Sequence, residues 1–144
     1  MDIKSRDLGI NLNTGKDEET FKWFLACLLF GKPIQQGVAK QAYLEFIKVG
    51  LNSPEKILAA GWDHLVAVLD RGHYVRYDFS TATKLLSICK KLTESYGTIT
   101  NIIRSANNEE ELNQRLQEFK GIGPVTAKIF LREISLEQWK KEFL

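Results

Sequence analysis

The sequence predicts an all-α protein, folded as a compact orthogonal bundle of about six to eight short helices with a hairpin near its C-terminus. Apolar residues recur at spacings of three and four along almost the whole chain, and no stretch alternates apolar with polar residues between turns. Hydrophobic residues make up 44% and charged residues 26% of the 144, which is the composition of an ordinary globular protein. We expect a polar segment at 1–16 and one helical domain at 17–144.

The first predicted helices follow local start and stop signals. Acidic residues at 17–19 begin a helix that ends at Gly31. This helix is apolar nearly all round, so it should lie centrally. A second helix ends at Gly50, and Ser53 caps a third that ends at Gly61.

The middle of the chain combines a short helix, a loop and a long helix. The short helix is expected at 62–69 and the loop at 71–80. Ser80 or Thr81 would cap the long helix, which stops near Gly97. The loop is therefore a candidate surface between two helices.

Near the C-terminus, the stretch EFKGIGPVTAKIFL interrupts a helical pattern with two glycines and a proline and then resumes it. Asn108 and Glu111 have the spacing of a capping box and open the helix before it. Gly121 or Gly123 is expected in a left-handed conformation, with Pro124 as the first residue of the next helix. Five apolar residues are spaced so that the two helices pack together: Leu116, Phe119, Ile122, Ala127 and Ile129.

The two glycines do not belong to a common nucleotide-binding motif. A dinucleotide fingerprint needs a preceding strand and a third glycine, where this chain has Thr126, and the Gly-Lys-Ser/Thr of a P-loop is missing. One interpretation is a plain αα-hairpin that only joins two helices. The other is a turn that presents free backbone N–H groups at a helix N-terminus, where a DNA phosphate can bind.

The pattern Leu-x-x-Phe-x-Gly-Ile-Gly-Pro-x-Thr-Ala resembles the helix-hairpin-helix motif. The segments before it, among them FKWFLACLLFGKPIQQGVAKQAYLEF, SPEKILAAGWDHLVAVLD and STATKLLSICKKLTESYG, follow in the order found in endonuclease III-like DNA glycosylases. Over residues 18–134 the chain thus resembles the helix-hairpin-helix-GPD superfamily. The resemblance implies a helical fold, double-stranded and damaged DNA as the partner, and base-excision repair by removal of a flipped base.

The resemblance also implies roles for the hairpin residues. Eight of them would contact DNA: Lys120, Gly121, Ile122, Gly123, Pro124, Val125, Thr126 and Lys128. Family members often hold Na⁺ or K⁺ through main-chain carbonyls, which here would belong to Gln117, Phe119 and Ile122.

Two catalytic residues of the family have no counterpart. Val125 stands where bifunctional members carry the lysine that forms a Schiff base, so β-lyase activity is not expected. The family aspartate would fall near Phe143, and no aspartate follows Asp78. The four cysteines that hold an iron–sulfur cluster in some members are also missing, so no such cluster is expected. An active protein would therefore be a monofunctional glycosylase that uses water, and we expect the chain to be either a truncated form or a minimal relative of the family.

A second candidate DNA surface lies at 71–91. This segment contains five basic residues and one acid, with aromatic residues interleaved among them. The basic charge attracts phosphate, and an aromatic ring can stack on an exposed base. For Phe79 we favour packing onto the core. The candidates for DNA contact are His73, Tyr74, Arg76, Tyr77 and Lys84.

Other features exclude some protein classes. Cys27 and Cys89 are expected to be buried thiols, and His64, a partly buried helix residue, does not form a metal pair with His73. Neither a signal peptide nor a membrane span is recognised, so a cytoplasmic location is expected. A non-catalytic helix-hairpin-helix DNA-binding module, favoured by Val125 and the missing aspartate, and a helical protein-interaction domain remain as alternatives.

Overall fold

The computed structural model describes residues 2–144, and within them the protein is all-α, without any strand. The predicted fold class is confirmed. The nine α-helices are α1 (Asp17–Phe30), α2 (Gln36–Lys48), α3 (Pro54–Ala60), α4 (Trp62–Arg71), α5 (Asp78–Ser95), α6 (Ile99–Ser105), α7 (Glu109–Gln117), α8 (Pro124–Glu133) and α9 (Leu136–Phe143).

Helix α1 lies in the centre, as its apolar sequence predicts. Its side chains are buried from Phe21 to Leu29 with the exception of Lys22, and it packs against α2, α6 and α8. The Trp23 indole N–H donates a hydrogen bond to the carbonyl of Phe130 on α8. The Phe24 and Phe130 rings meet edge to face, with their centroids 5.8 Å apart. This packing ties the second helix of the hairpin to the core.

Most helix ends confirm the local predictions. The Ser53 hydroxyl accepts the Lys56 N–H at the start of α3, and the Asn108 side chain accepts the Glu111 N–H at the start of α7. Gly61 ends α3 with a φ of 80°, a conformation that glycine adopts without strain. These signals were predictable because each involves residues within one helical turn.

Two helix predictions were wrong. Helix α5 begins at Asp78 rather than after a cap at Ser80 or Thr81, and the Ser80 hydroxyl instead donates to the carbonyl of Tyr77. The number of helices was also underestimated. The seven-residue helix α6, whose N-cap is Thr98, lies between α5 and α7, where no helix was predicted.

The first residues pack onto the helices. Two short 3₁₀ turns, Ser5–Leu8 and Leu12–Thr14, precede α1, and Leu8 and Ile10 are buried in the core. Both the N–H and the hydroxyl of Ser5 donate to the Glu133 carboxylate, at 2.8 and 2.6 Å. The segment at 1–16 is polar in composition, but two of its residues belong to the core.

Both cysteines are buried free thiols, as predicted. Burial raises the pKa of the Cys89 thiol to about 12, and it also raises the pKa of Cys27. Neither sulfur is therefore a reactive thiolate near neutral pH. Among the helices of residues 2–144, none combines the length and apolarity that crossing a membrane requires.

Candidate nucleic-acid interface

In the hairpin between α7 and α8, the residues at 120–124 are exposed to solvent except for Ile122, which is buried. Gly121 has a φ of 101°, so it is the residue in the left-handed region, whereas Gly123 is extended. Gly123 is the N-cap of α8 and Pro124 its first residue. Ile122 is 5% exposed, and the glycines on either side of it face solvent. The predicted αα-hairpin is therefore present, with its backbone on the surface.

Helix α8 starts without a side-chain cap. No side chain accepts a hydrogen bond from its first turn, in contrast to α3 and α7. Within residues 2–144, the N–H groups of Val125 and Thr126 donate no hydrogen bond to the protein. Free amides at the positive end of a helix dipole attract an anion, as the sequence predicts for this turn.

Lys84, on α5, lies directly against the hairpin. A Cβ atom built on Gly121 would be 2.5 Å from both Cγ and Cδ of Lys84, so only glycine leaves room for this side chain. Burial, and to a smaller extent the charge of Lys32, lowers the pKa of the Lys84 ammonium to about 8. The structure therefore brings together two predicted site residues that are 37 positions apart in the sequence.

Lys32 joins this group from the end of α1, and the sequence prediction missed it. Gly31 packs so closely on α8 that a Cβ there would overlap the Thr126 hydroxyl oxygen. This contact holds Lys32 beside the hairpin. The signal was weak, because a lysine between Gly31 and Pro33 looks like an ordinary loop residue.

Tyr77 and Arg76 complete one side of the site. The Tyr77 ring centroid lies 5.3 Å from the Lys32 ammonium and 5.4 Å from the Arg76 guanidinium carbon. We name Lys32, Arg76, Tyr77 and Lys84 together the basic cluster. None of its three cations forms an ion pair with any residue of 2–144.

Other predicted residues lie on the hairpin surface. Lys120, Pro124 and Lys128 are exposed, and the Val125 side chain is 62% exposed. Thr126 is buried beneath the turn and contributes through its backbone. The predicted contacts therefore form a mixed backbone and lysine surface rather than a closed pocket.

Tyr74 does not belong to this surface, which corrects the prediction that it contacts DNA. Its side chain is fully buried, and its hydroxyl donates a 2.6 Å hydrogen bond to the carbonyl of Leu29. Phe79, expected to pack on the core, is 60% exposed instead and contacts the half-exposed Trp62 ring at a centroid distance of 5.2 Å. The Trp62 indole N–H donates to the Thr83 hydroxyl, which holds this aromatic pair in place.

The two histidines are exposed. His73 has a φ of 66° and follows the end of α4, where its N–H donates to the carbonyl of Asp70. Its unusual backbone is explained by helix termination, because this region of φ is several-fold enriched in histidine. His64 was predicted to be partly buried and is exposed instead.

The carbonyl end of α7 already has a positive group beside it. The Lys91 ammonium donates to the carbonyl of Glu118 at 3.0 Å and lies 5.0 Å from the centroid of the Phe119 ring. The Phe119 carbonyl accepts the N–H of Ile122. The cation site at Gln117, Phe119 and Ile122 stays a prediction.

Comparisons with known proteins give no matching family model, no matching curated protein and no matching solved structure. Within residues 2–144, no group of three or more His, Cys, Asp or Glu side chains could hold a metal ion. The chemistry of this surface must therefore be argued from the hairpin and the basic cluster themselves.

Proposed function

We propose that this protein binds double-stranded DNA by holding a backbone phosphate on the hairpin at 120–126. The observation that carries the proposal is the start of α8, where free N–H groups lie on an exposed turn beside the unpaired cations of the basic cluster. An anion that is repeated along a polymer suits this arrangement, since the hairpin accepts one phosphate and the surrounding lysines attract its neighbours. Such contacts read no base.

Membership of the DNA glycosylase superfamily and a role in base-excision repair belong to the same proposal. They rest on the order of the sequence motifs and on the hairpin geometry. Exposed Val125 provides no amine for a Schiff base, so an active protein would release a base by water attack, as a monofunctional glycosylase. The exposed aromatic pair of Trp62 and Phe79 offers a ring on which an unstacked base can lie. A cytoplasmic location also stays a prediction.

The hairpin is tested most cleanly with Gly123→Ala. A Cβ at Gly123 would meet nothing within 4 Å, and its extended backbone suits any residue, so the variant should fold with unchanged stability. The added methyl would keep a phosphate away from the amides of Val125 and Thr126. We expect duplex affinity, measured by fluorescence anisotropy, to fall about tenfold or more, because hydrogen bonds to a charged group are lost.

Lys56→Gln serves as the control for that measurement. Lys56 lines a surface cleft with Asp17 and Glu18, at the opposite end of α1 from the hairpin. Its loss should leave duplex affinity unchanged. Equal affinities for the wild type and Gly123→Ala would refute the hairpin as the phosphate site. Absence of any duplex binding at low salt would favour a protein-interaction domain instead.

The enzymatic part is tested separately. Duplexes that carry uracil, hypoxanthine, alkylated or oxidised bases are incubated with the protein and then treated with alkali, which breaks the strand wherever a base has been removed. We expect release of at least one damaged base and no strand break without alkali. Binding without release of any of these bases would leave the non-catalytic DNA-binding module as the function.

A further inference from the structure

We propose that Lys32 and Lys84 form a second phosphate-binding site beside the hairpin, and that Lys84 takes up a proton when a DNA phosphate binds there. This inference rests on the proposed DNA binding and adds to it a specific pair of residues and a dependence on pH. The ligand is the phosphodiester group next to the one held by the hairpin.

The position of Lys84 is built into the fold. Its methylene groups occupy the space that a Cβ at Gly121 would fill, so the ammonium is held at the edge of the hairpin. The close packing of Gly31 on Thr126 brings Lys32 to the same edge from another helix. Two lysines that are 52 residues apart are thereby fixed on one side of the turn.

Both acidic and basic groups lie around this pair. The acids are Asp78 at the start of α5, Asp70 beside Asp78, and Glu55 on α3, which packs on α5. Arg76 and Tyr77 at the start of α5 lie next to Lys32, Lys91 lies two turns farther along α5, and Lys120 precedes the hairpin glycine. Glu118 comes shortly before the hairpin glycines, and its carbonyl accepts a hydrogen bond from the Lys91 ammonium. Neither Lys32 nor Lys84 forms an ion pair with any described residue.

Like charges held together without a paired acid destabilise each other, and a partly desolvated ammonium is destabilised further. An external anion relieves both effects. Surface lysines are usually solvated or paired with acids. A lysine that is largely desolvated beside a turn, with a second lysine next to it and no ion pair, is better explained by a ligand that supplies the negative charge.

The proton linkage follows from the state of Lys84 in the free protein. Burial and Lys32 lower its pKa to about 8, so above that pH the amine is mostly neutral. A bound phosphate favours the ammonium and raises the pKa again. Binding must therefore be accompanied by proton uptake above about pH 8, and affinity must fall as the pH rises.

The test measures duplex affinity by fluorescence anisotropy between about pH 7 and about pH 9, where ordinary lysines stay charged. For the wild type we expect about a tenfold loss of affinity over this range, since up to one proton is taken up on binding. Lys84→Arg should keep the affinity measured at pH 7 and lose the pH dependence, because a guanidinium stays charged.

Two further variants separate charge from position. Lys84→Gln should bind more weakly at pH 7, with a log–log salt slope that is smaller by about 0.9, and without the pH dependence. Lys32→Gln should reduce the salt slope equally but shift the pH dependence upward, because the neighbouring charge that lowers the pKa of Lys84 is gone. Lys56→Gln should match the wild type. Thermal unfolding of each variant confirms that it is folded.

The outcomes distinguish this inference from the function on which it rests. If the wild type binds duplex DNA and Lys84→Arg shows the same pH dependence as the wild type, the second phosphate site is wrong while the hairpin proposal stands. An unchanged salt slope in Lys84→Gln would have the same meaning. If the wild type binds no duplex at any pH, the proposed function itself is wrong.

Discussion

The two ends of α1 carry charged residues in opposite circumstances. At the N-terminal end, Asp17 accepts hydrogen bonds from both the N–H and the hydroxyl of Thr100, each at 3.0 Å. Glu19 accepts from the N–H of Asn11 and from the Lys22 ammonium, both at 2.8 Å. At the C-terminal end, Lys32 and Lys84 have no carboxylate partner among the described residues.

This difference separates structural charges from charges available for a ligand. Acids at the N-terminal end interact favourably with the helix dipole, and their carboxylates accept hydrogen bonds from neighbouring segments. They are therefore already bound within the protein. The cations at the other end form no ion pair with any described residue, and the uncapped start of α8 lies beside them. The 14 residues of α1 hold these two regions about 20 Å apart, so each can be changed without the other.

The largest effect is expected at the joint between α1 and α8. Gly31→Val would force a side chain into the space of the Thr126 hydroxyl and should destabilise the protein by up to about 3 kcal/mol, measured by urea denaturation. Gly37→Ala is the matched control, because a Cβ there meets nothing within 4 Å and alanine favours a helix. Equal stability of Gly31→Val and the wild type would show that this close packing is absent.

A smaller effect is expected at the N-terminal end. Asp17→Ala removes the acceptor of two hydrogen bonds from Thr100 and an acid in the first turn of α1, and should cost about 1–2 kcal/mol. Duplex affinity should not change. Glu18→Ala, which loses only a 3.9 Å surface pair with Lys22, should stay within about 0.5 kcal/mol. A loss of DNA binding in Asp17→Ala would contradict the independence of the two ends.

Replacing Lys84 is expected to stabilise the protein, in contrast to the two substitutions above. Its pKa of about 8 lies below the value of an unfolded lysine, so the unfolded state binds more protons and stability should rise as the pH increases from about 8 towards 10.4. Lys84→Met should abolish this rise and raise the unfolding temperature at neutral pH by a few degrees, because a desolvated charge is removed. Differential scanning calorimetry measures both effects. A lower unfolding temperature for Lys84→Met would contradict the description of Lys84 as a destabilising, ligand-binding charge.

The smallest effect is expected at Glu19. Its burial raises the pKa, but the hydrogen bonds from Asn11 and Lys22 and the nearby positive charges outweigh this effect, and the net pKa is lowered. Glu19 therefore stabilises the fold above its unfolded pKa, and this stability is lost as the pH falls through the lower folded value. Glu19→Gln should make acid unfolding, followed by circular dichroism, less steep. An unchanged acid transition would show that Glu19 is not linked to folding.

Local features of this fold could be predicted from the sequence, and long-range ones could not. The caps at Ser53 and Asn108 and the hairpin glycines act within one helical turn, so their residue types suffice. Helix α6 was missed because its seven residues are too few to establish a helical period, although Ile99, Ile102 and Ile103 follow one.

In the candidate site, too, contacts between residues that are distant in sequence could not be predicted. The sequence placed Tyr74 on the surface and Phe79 in the core, and the structure reverses both assignments. Both are aromatic residues of one basic segment, and which of them is buried depends on the carbonyl of Leu29 and the ring of Trp62, which are distant in sequence. Lys32 was missed for the same reason, since only the packing of Gly31 on Thr126 brings it to the hairpin.

The central claim is that DNA contacts the C-terminal end of α1 and the hairpin rather than any other face. The most direct test is a titration of the ¹⁵N-labelled protein, of 16.5 kDa, with a short DNA duplex, followed through its amide NMR signals. We expect the largest shifts at the amides of Gly123, Val125 and Thr126, and none at Asp17 or Thr100. Shifts confined to the Asp17 end, or no shifts at a concentration of duplex that saturates binding, would contradict the account.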